Sequence, residues 1–267
     1  MGEGEIQELT DELVPSLDAF LRRDVLLNAY AIWDLYHMRH RSRFFIVQAD
    51  GRIQGVLLDF HGHTGFHSIW FRGTDEAVER LLGVLAYDRM LFPFMIPGSE
   101  EAVERRFPIS AQYVTDFMLL KRGGERLSIR HSTRLLGQSD ALAFAGLRKG
   151  AGESPSVREV ERALEIIKEQ PVYGIFADST LVSAATFHVR LPEIWIIGGL
   201  YTRPEYRNLG YATSITSVMV KDALWETGCI GLYVREDNHP AKRVYEKTGF
   251  RPYKKIKWLD CNTGLAP

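Results

Sequence analysis

Six residues, Arg207-Asn208-Leu209-Gly210-Tyr211-Ala212, stand between a stretch of strand character, 194–202, and a long helical stretch that ends near Thr227. A strand-to-helix turn presents successive backbone N–H groups, and the helix start adds the positive end of its dipole. An anion is well served there. Gly210 and the small Ala212 allow close approach to the backbone. GxxxxGK and GxGxxG are both absent from the turn, so neither the usual phosphate loop nor a dinucleotide fingerprint is present. Taken alone, the six residues read first as an ordinary strand–helix connection, and context has to decide.

Other chemically suggestive residues carry less. His61, His63 and His67 alternate with glycines, and His61 with His63 would share one face of a strand. A zinc site wants more convergent ligands with a supporting shell, so no metal is expected. His37, Arg39, His40, Arg41 and Arg43 form a short basic run at the end of a helix over 25–38, where positive charge suits a helix C-terminus. Cys229 reads as an apolar strand residue rather than a nucleophile, and Phe92-Pro93-Phe94 reads as buried core.

The elements that must position the turn form two halves. Gly123 and Gly124, set among charges, suggest a linker, which predicts domains over 1–122 and 127–267. In the first half, 44–48 reads as a strand, Ala49-Asp50-Gly51 as a turn and 53–60 as the return. In the second, 172–176, Ala177-Asp178-Ser179 and 181–189 repeat that order. Each hairpin is followed by a strand with Ile-Trp, at 68–70 and 193–195, and then by an amphipathic helix. One plan written twice is the better reading. Ser156 and Glu159 form a capping-box pattern that opens a helix to about Lys168, with Val157, Val160, Leu164 and Ile167 on its inner face. The copies differ at the turn: only the second has the glycine-containing anion loop, whereas the first has Phe71-Arg72-Gly73-Thr74-Asp75, whose Asp75 and neighbouring Glu76 would repel an anion.

Composition narrows the class. The 267 residues are 45 % apolar and 25 % charged, and 33 basic residues face 34 acidic ones for a net charge of -1. These values suit a globular protein and give no whole-molecule basic field for nucleic acid or anionic lipid. Two cysteines make no disulfide framework. The acidic opening MGEGEIQEL lacks the basic character of a targeting peptide, and no apolar stretch is long enough for a membrane span. A reducing, cytoplasmic setting is expected.

At the turn the sequence resembles the GNAT superfamily of acyl-CoA-dependent N-acyltransferases, whose signature Arg/Gln-x-x-Gly-x-Gly/Ala is filled by Arg207, Gly210 and Ala212. The resemblance continues through DNHPAKRVYEKTGFRPY, where the family shows Asn, Ala, Tyr and Gly-Phe, here Asn238, Ala241, Tyr245, Gly249 and Phe250. It covers roughly 127–259. It implies an α/β (α+β) fold of two tandem GNAT-like lobes, each a mixed, mostly antiparallel sheet flanked by helices. The layout is similar to tandem GNATs, FR47-like proteins and glycine N-acyltransferase-like enzymes.

The resemblance implies that acetyl-CoA lies along Leu200, Tyr201 and Thr202, with its pyrophosphate on Arg207, Asn208, Leu209, Gly210, Tyr211, Ala212 and Thr213. Asn238, Ala241 and Tyr245 complete that side. Gly198-Gly199 suits a bulge that opens a slot for the pantetheine arm, or else relieves packing against Trp195. A neutral amine would attack the thioester directly, and Tyr245 would protonate the leaving thiolate as general acid, or else be a packed aromatic. The position that holds glutamate in histone-type members is Ile196 here. Glu193 is the first candidate for general base, through water, although it also reads as a solvated hairpin residue; His188 is the second.

The expected activity is acetyl transfer to a primary amine of a small molecule or peptide, with one acetyl-CoA per chain in the second lobe. Expected partners are the donor and the amine acceptor, without nucleic acid or membrane, and a homodimer is compatible. Two other readings stay open: a non-catalytic sensor of acyl-CoA or an amino acid, and a tRNA-dependent aminoacyl transferase, which the intact CoA loop disfavours.

Overall fold

A computed structural model describes residues 5–62, 66–96, 98–150 and 152–262. The order of elements repeats. The first set is β1 (Ile6–Glu8), α1 (Val14–Leu21), α2 (Val25–His37), β2 (Ser42–Ala49), β3 (Arg52–His61), β4 (His67–Gly73), α3 (Asp75–Leu82), β5 (Arg89–Met95), α4 (Glu100–Arg106) and β6 (Ile109–Lys121). The second is β7 (Arg134–Leu135), α5 (Ala141–Gly146), α6 (Val157–Glu169), β8 (Val172–Ala177), β9 (Thr180–Arg190), β10 (Trp195–Thr202), α7 (Tyr211–Glu226), β11 (Cys229–Arg235), α8 (His239–Thr248) and β12 (Arg251–Asn262).

Turn chemistry explains both hairpins. Asp50 and Gly51 have φ of 50° and 69°, and Asp178 and Ser179 have 46° and 66°. Positive φ at both central residues gives a turn whose twist matches the strands it joins. The capping box also forms: Ser156 N donates to Glu159 Oε2 at 2.7 Å, and Glu159 N donates to Ser156 Oγ at 3.3 Å. Val157, expected on the inner face of α6, is exposed instead, because it occupies the first helical position; Ala163 is the buried residue there. Of the aromatic run, Phe92 is fully buried, while half-buried Phe94 stacks on Tyr30 with ring centroids 4.6 Å apart.

Two units emerge, one of residues up to 115 together with those from 255 onward, the other of residues 116–254. The first has neighbour order β1-β2-β3-β4-β5, with β5 next to β12. Its β4 and β5 run parallel, and Lys257 of β12 lies opposite Met95. The second has the order β6-β11-β10-β9-β8-β7, with β10 and β11 parallel. Each repeat thus takes its flanking strand from the closing strand of the other.

This exchange alters the expected division at 122 and 127. Residues 116–121 already belong to the second unit. Met118 and Leu120 pack there with Phe187, Ile197, Met219, Val220, Leu232 and Phe250. Gly123-Gly124 is therefore an internal turn, with Gly124 N donating to Lys121 O at 2.9 Å and Arg126 N donating to Thr248 O at 2.8 Å. The first unit has its own core around Leu57, Ile69, Phe71, Leu81, Phe92 and Leu259. Among the described residues no helix is long and apolar enough to cross a membrane.

Candidate acyl-CoA site

The turn chosen from sequence begins where β10 leaves its neighbour. β10 pairs with β9 as far as Thr202, opposite Ser183, but its register with β11 runs from Trp195 through Ile197. Beyond Ile197 the parallel pair opens, leaving backbone groups of 198–202 directed into the gap. Gly199 sits at the departure with φ of 64°, inside a break in the β9 register between Gly198 and Tyr201. That is a bulge, and glycine supplies it without side-chain strain.

Gly198 has a different task. A Cβ placed on it would lie 2.2–2.5 Å from the His188 imidazole, so its missing side chain makes room for that ring. The packing reason expected from Trp195 therefore belongs to His188. Burial lowers the His188 pKa to about 4, which leaves the ring neutral at ordinary pH with one nitrogen able to accept a proton.

Past Thr202 the chain makes a short helical turn over 204–206 and reaches α7 through two left-handed residues, Asn208 at φ 64° and Gly210 at φ 89°. Gly210 is the N-cap of α7 and no side chain caps the helix. The first N–H groups of a helix have no partner within it, so Tyr211, Ala212 and Thr213 offer theirs outward, along the positive end of a 16-residue helix. The Arg207 guanidinium donates to Thr202 O at 3.2 Å and lies 5.8 Å from the Tyr201 ring centre, strapping the turn to the strand end.

The contrast with the first unit is local and physical. There Thr74 caps α3 by accepting from Ala77 N at 3.3 Å, and Asp75 and Glu76 occupy the first turn. A Cβ on Gly73 would come within 2.5 Å of Gly55 Cα, so that glycine serves chain packing.

Residues 172–259, from β8 into β12, match the family model described as FR47-like protein. No curated protein matches the chain in sequence. Among solved structures, a Drosophila protein is similar over 97% of this chain and 99% of its own, at 14% identity and a TM-score of 0.72. A tandem GNAT protein from the clavulanic acid biosynthesis pathway is similar over 98% of this chain and 100% of its own, at 15% identity and a TM-score of 0.64. A GCN5-related N-acetyltransferase from Sphaerobacter thermophilus is similar over 97% and 95%, at 10% identity and a TM-score of 0.65. The chain has a tandem GNAT fold.

Within the GNAT fold, the other residues singled out from sequence divide into three groups. Asn238 caps α8, its Oδ1 accepting from Ala241 N at 3.2 Å, so its side chain starts the helix that carries Tyr245. Gly249 ends that helix at φ 113°, where a Cβ would meet Gly124 O at 2.2 Å, and Phe250 is fully buried. Much of the second motif is thus helix start, helix stop and core. Tyr245 is 7 % exposed, and burial pushes its phenol pKa well up, so the hydroxyl keeps its proton. Glu193 lies in the tight turn joining β9 to β10, where Leu191 and Ile194 exchange backbone hydrogen bonds, five residues before Gly198.

Sequence reasoning missed the residues that brace the turn from afar. His131 Nε2 donates to Leu209 O at 2.9 Å, and its ring stacks on Tyr211 at 4.0 Å. Arg130 N and Ser128 N donate to the hydroxyls of Ser214 and Ser217, each at 3.0 Å, laying that segment along α7. Arg148 lies 4.5 Å from the Tyr201 ring centre, placing a second guanidinium beside the turn. Their separation in sequence from 207–212 left no spacing to read; only the fold gathers them.

Proposed function

We propose that the second unit binds acetyl-CoA and transfers its acetyl group to a primary amine of a small molecule or peptide. The observation that carries this reading is the uncapped start of α7 at Gly210, set beside the gap between β10 and β11. A pyrophosphate fits the N–H groups of 211–213, and an extended amide-bearing arm fits the free strand edge at 198–202. Acyl-CoA supplies a thioester carbon when bound; the chain's own groups do the rest.

The amine nitrogen bonds to the carbonyl carbon, whose π pair moves onto oxygen, and the carbon–sulfur bond breaks as that tetrahedral oxyanion collapses. A backbone N–H at the end of β10 steadies the oxyanion. The neutral His188 imidazole, packed on Gly198, is the better placed of the two candidate bases to take the amine proton, directly or through water. The protonated Tyr245 hydroxyl is the group offered to the departing sulfur. No acyl-enzyme is required, so positioning carries much of the rate.

Calorimetric titration of the full chain with acetyl-CoA, followed by CoA release over an amine panel, tests the reading. One site per chain and amine-dependent release are expected. Binding without release from any amine would leave a sensor of acyl-CoA; two sites per chain would place donor in the first unit and overturn the assignment.

A further inference from the structure

The first unit contains a cluster that acyl transfer does not use. Asp59 and His61 lie two residues apart on β3 and so share a face. His67 opens β4 directly opposite His61. The ligand atoms of all three lie within 4.8 Å of one another. His67 Nδ1 stands 2.8 Å from Asp59 Oδ1 and 3.0 Å from His61 Nε2. Two atoms bound to one ion at about 2.1 Å are about 3.0 Å apart at a right angle and about 3.4 Å apart at the tetrahedral angle, so these spacings suit a shared ion.

The surroundings are those of a built site. Asp59 is 1 % exposed, and its second oxygen is taken by Tyr87, whose hydroxyl donates to Oδ2 at 2.7 Å. Oδ1 is thereby aimed at the histidines. The Tyr87 ring stacks on His67 at 3.5 Å and 11°, fixing the imidazole plane. Partners of this kind orient ligands in metal centres. His61 is exposed and leaves a path from solution. His61 Nε2 also stands 3.1 Å from His67 Nε2, so without an ion the same three side chains can form a hydrogen-bond chain, and stoichiometric zinc uptake is what separates the two arrangements.

We propose that Asp59, His61 and His67 bind one zinc ion per chain, outside the acyl-transfer site. Two imidazoles and one carboxylate are ordinary zinc ligands, and a water can fill the fourth position. Such an ion would clip β3 to β4 across their connection. The sequence expectation of no metal weighed the histidines without Asp59, which stands eight residues before His67 in no recognised spacing; the strand ladder is what joins it to His67. His63, weighed with them, lies outside the described residues.

The test is calorimetric titration of metal-stripped full-length protein with zinc chloride, beside H61A and D59N. The wild type is expected to take up one equivalent with a dissociation constant of about 10 µM or tighter, with a rise in melting temperature. H61A removes an exposed side chain and should melt with the stripped wild type while losing at least tenfold in affinity, as should D59N if it folds. Absence of stoichiometric uptake by the wild type, or a loss below tenfold in folded H61A, overturns the proposal.

Discussion

At the scale of single residues, two side chains decide the proposed chemistry, and burial acts on them in opposite senses. Tyr245 is pushed toward retaining its proton. Tyr245→Phe keeps the ring against Phe250 and removes only the hydroxyl, so kcat should fall by about 10²-fold or more while KM for acetyl-CoA stays within about threefold. Steady-state kinetics check this, and an unchanged kcat would make Tyr245 a packed aromatic. His188 is held neutral, with its pKa lowered from 6.5 to about 4. Between those values the unfolded chain binds the proton more readily. The contribution of His188 to stability is therefore whole above pH 6.5 and is lost as pH falls toward 4. Denaturant midpoints at several pH values should show a shallower acid loss for His188→Gln than for the wild type. Parallel curves would mean that the imidazole is solvated.

At the scale of elements, the legible and illegible parts separate by sequence distance. The two hairpin turns, the Ser156 capping box and the strand–Gly210–helix turn each occupy a few adjacent residues, and local dihedral preference shows in residue type. His131 against Tyr211, His188 against Gly198 and Asp59 against His67 are pairings made by ladders and packing, and no periodicity records them. Glu193 is a candidate for its nearness in number to Ile196, and nearness in number along a strand is spent as length.

Gly210 joins both levels. Its φ of 89° costs a side-chain-bearing residue about 1–2 kcal/mol, yet space exists for a Cβ, with His131 Nε2 at 3.7 Å. Gly210→Ala should therefore be a mild lesion of strain. Gly210→Val should in addition cover the N–H groups of α7 and weaken acetyl-CoA binding by more than about tenfold, or 1.4 kcal/mol. Calorimetry on both variants, with circular dichroism to confirm folding, separates the effects. Wild-type affinity in folded Gly210→Val would remove the anion site from this turn.

At the scale of the whole molecule, duplication is visible in the element order, but a duplicated sequence does not have to make two separable domains. Here each repeat takes a strand from the other, and residues 116–121 bring Phe117, Met118 and Leu120 into the second unit. Phe117 stacks on Tyr233 at 4.4 Å and 6°, while Met118 and Leu120 pack with the face of α7. Fully burying one such side chain stabilises by about 1.5–3 kcal/mol, so the three together contribute roughly 6 kcal/mol, comparable with the 5–15 kcal/mol net stability of a typical domain. A fragment of residues 127–267 carries the whole turn proposed to bind acyl-CoA and both signature motifs, yet it lacks that strand. It should show no cooperative thermal transition by circular dichroism and no acetyl-CoA binding. A fragment starting at Ile109 restores β6 and should regain both to a measurable degree. If 127–267 melts cooperatively near the temperature of the full chain, the borrowed strand is dispensable and the repeats are independent domains after all.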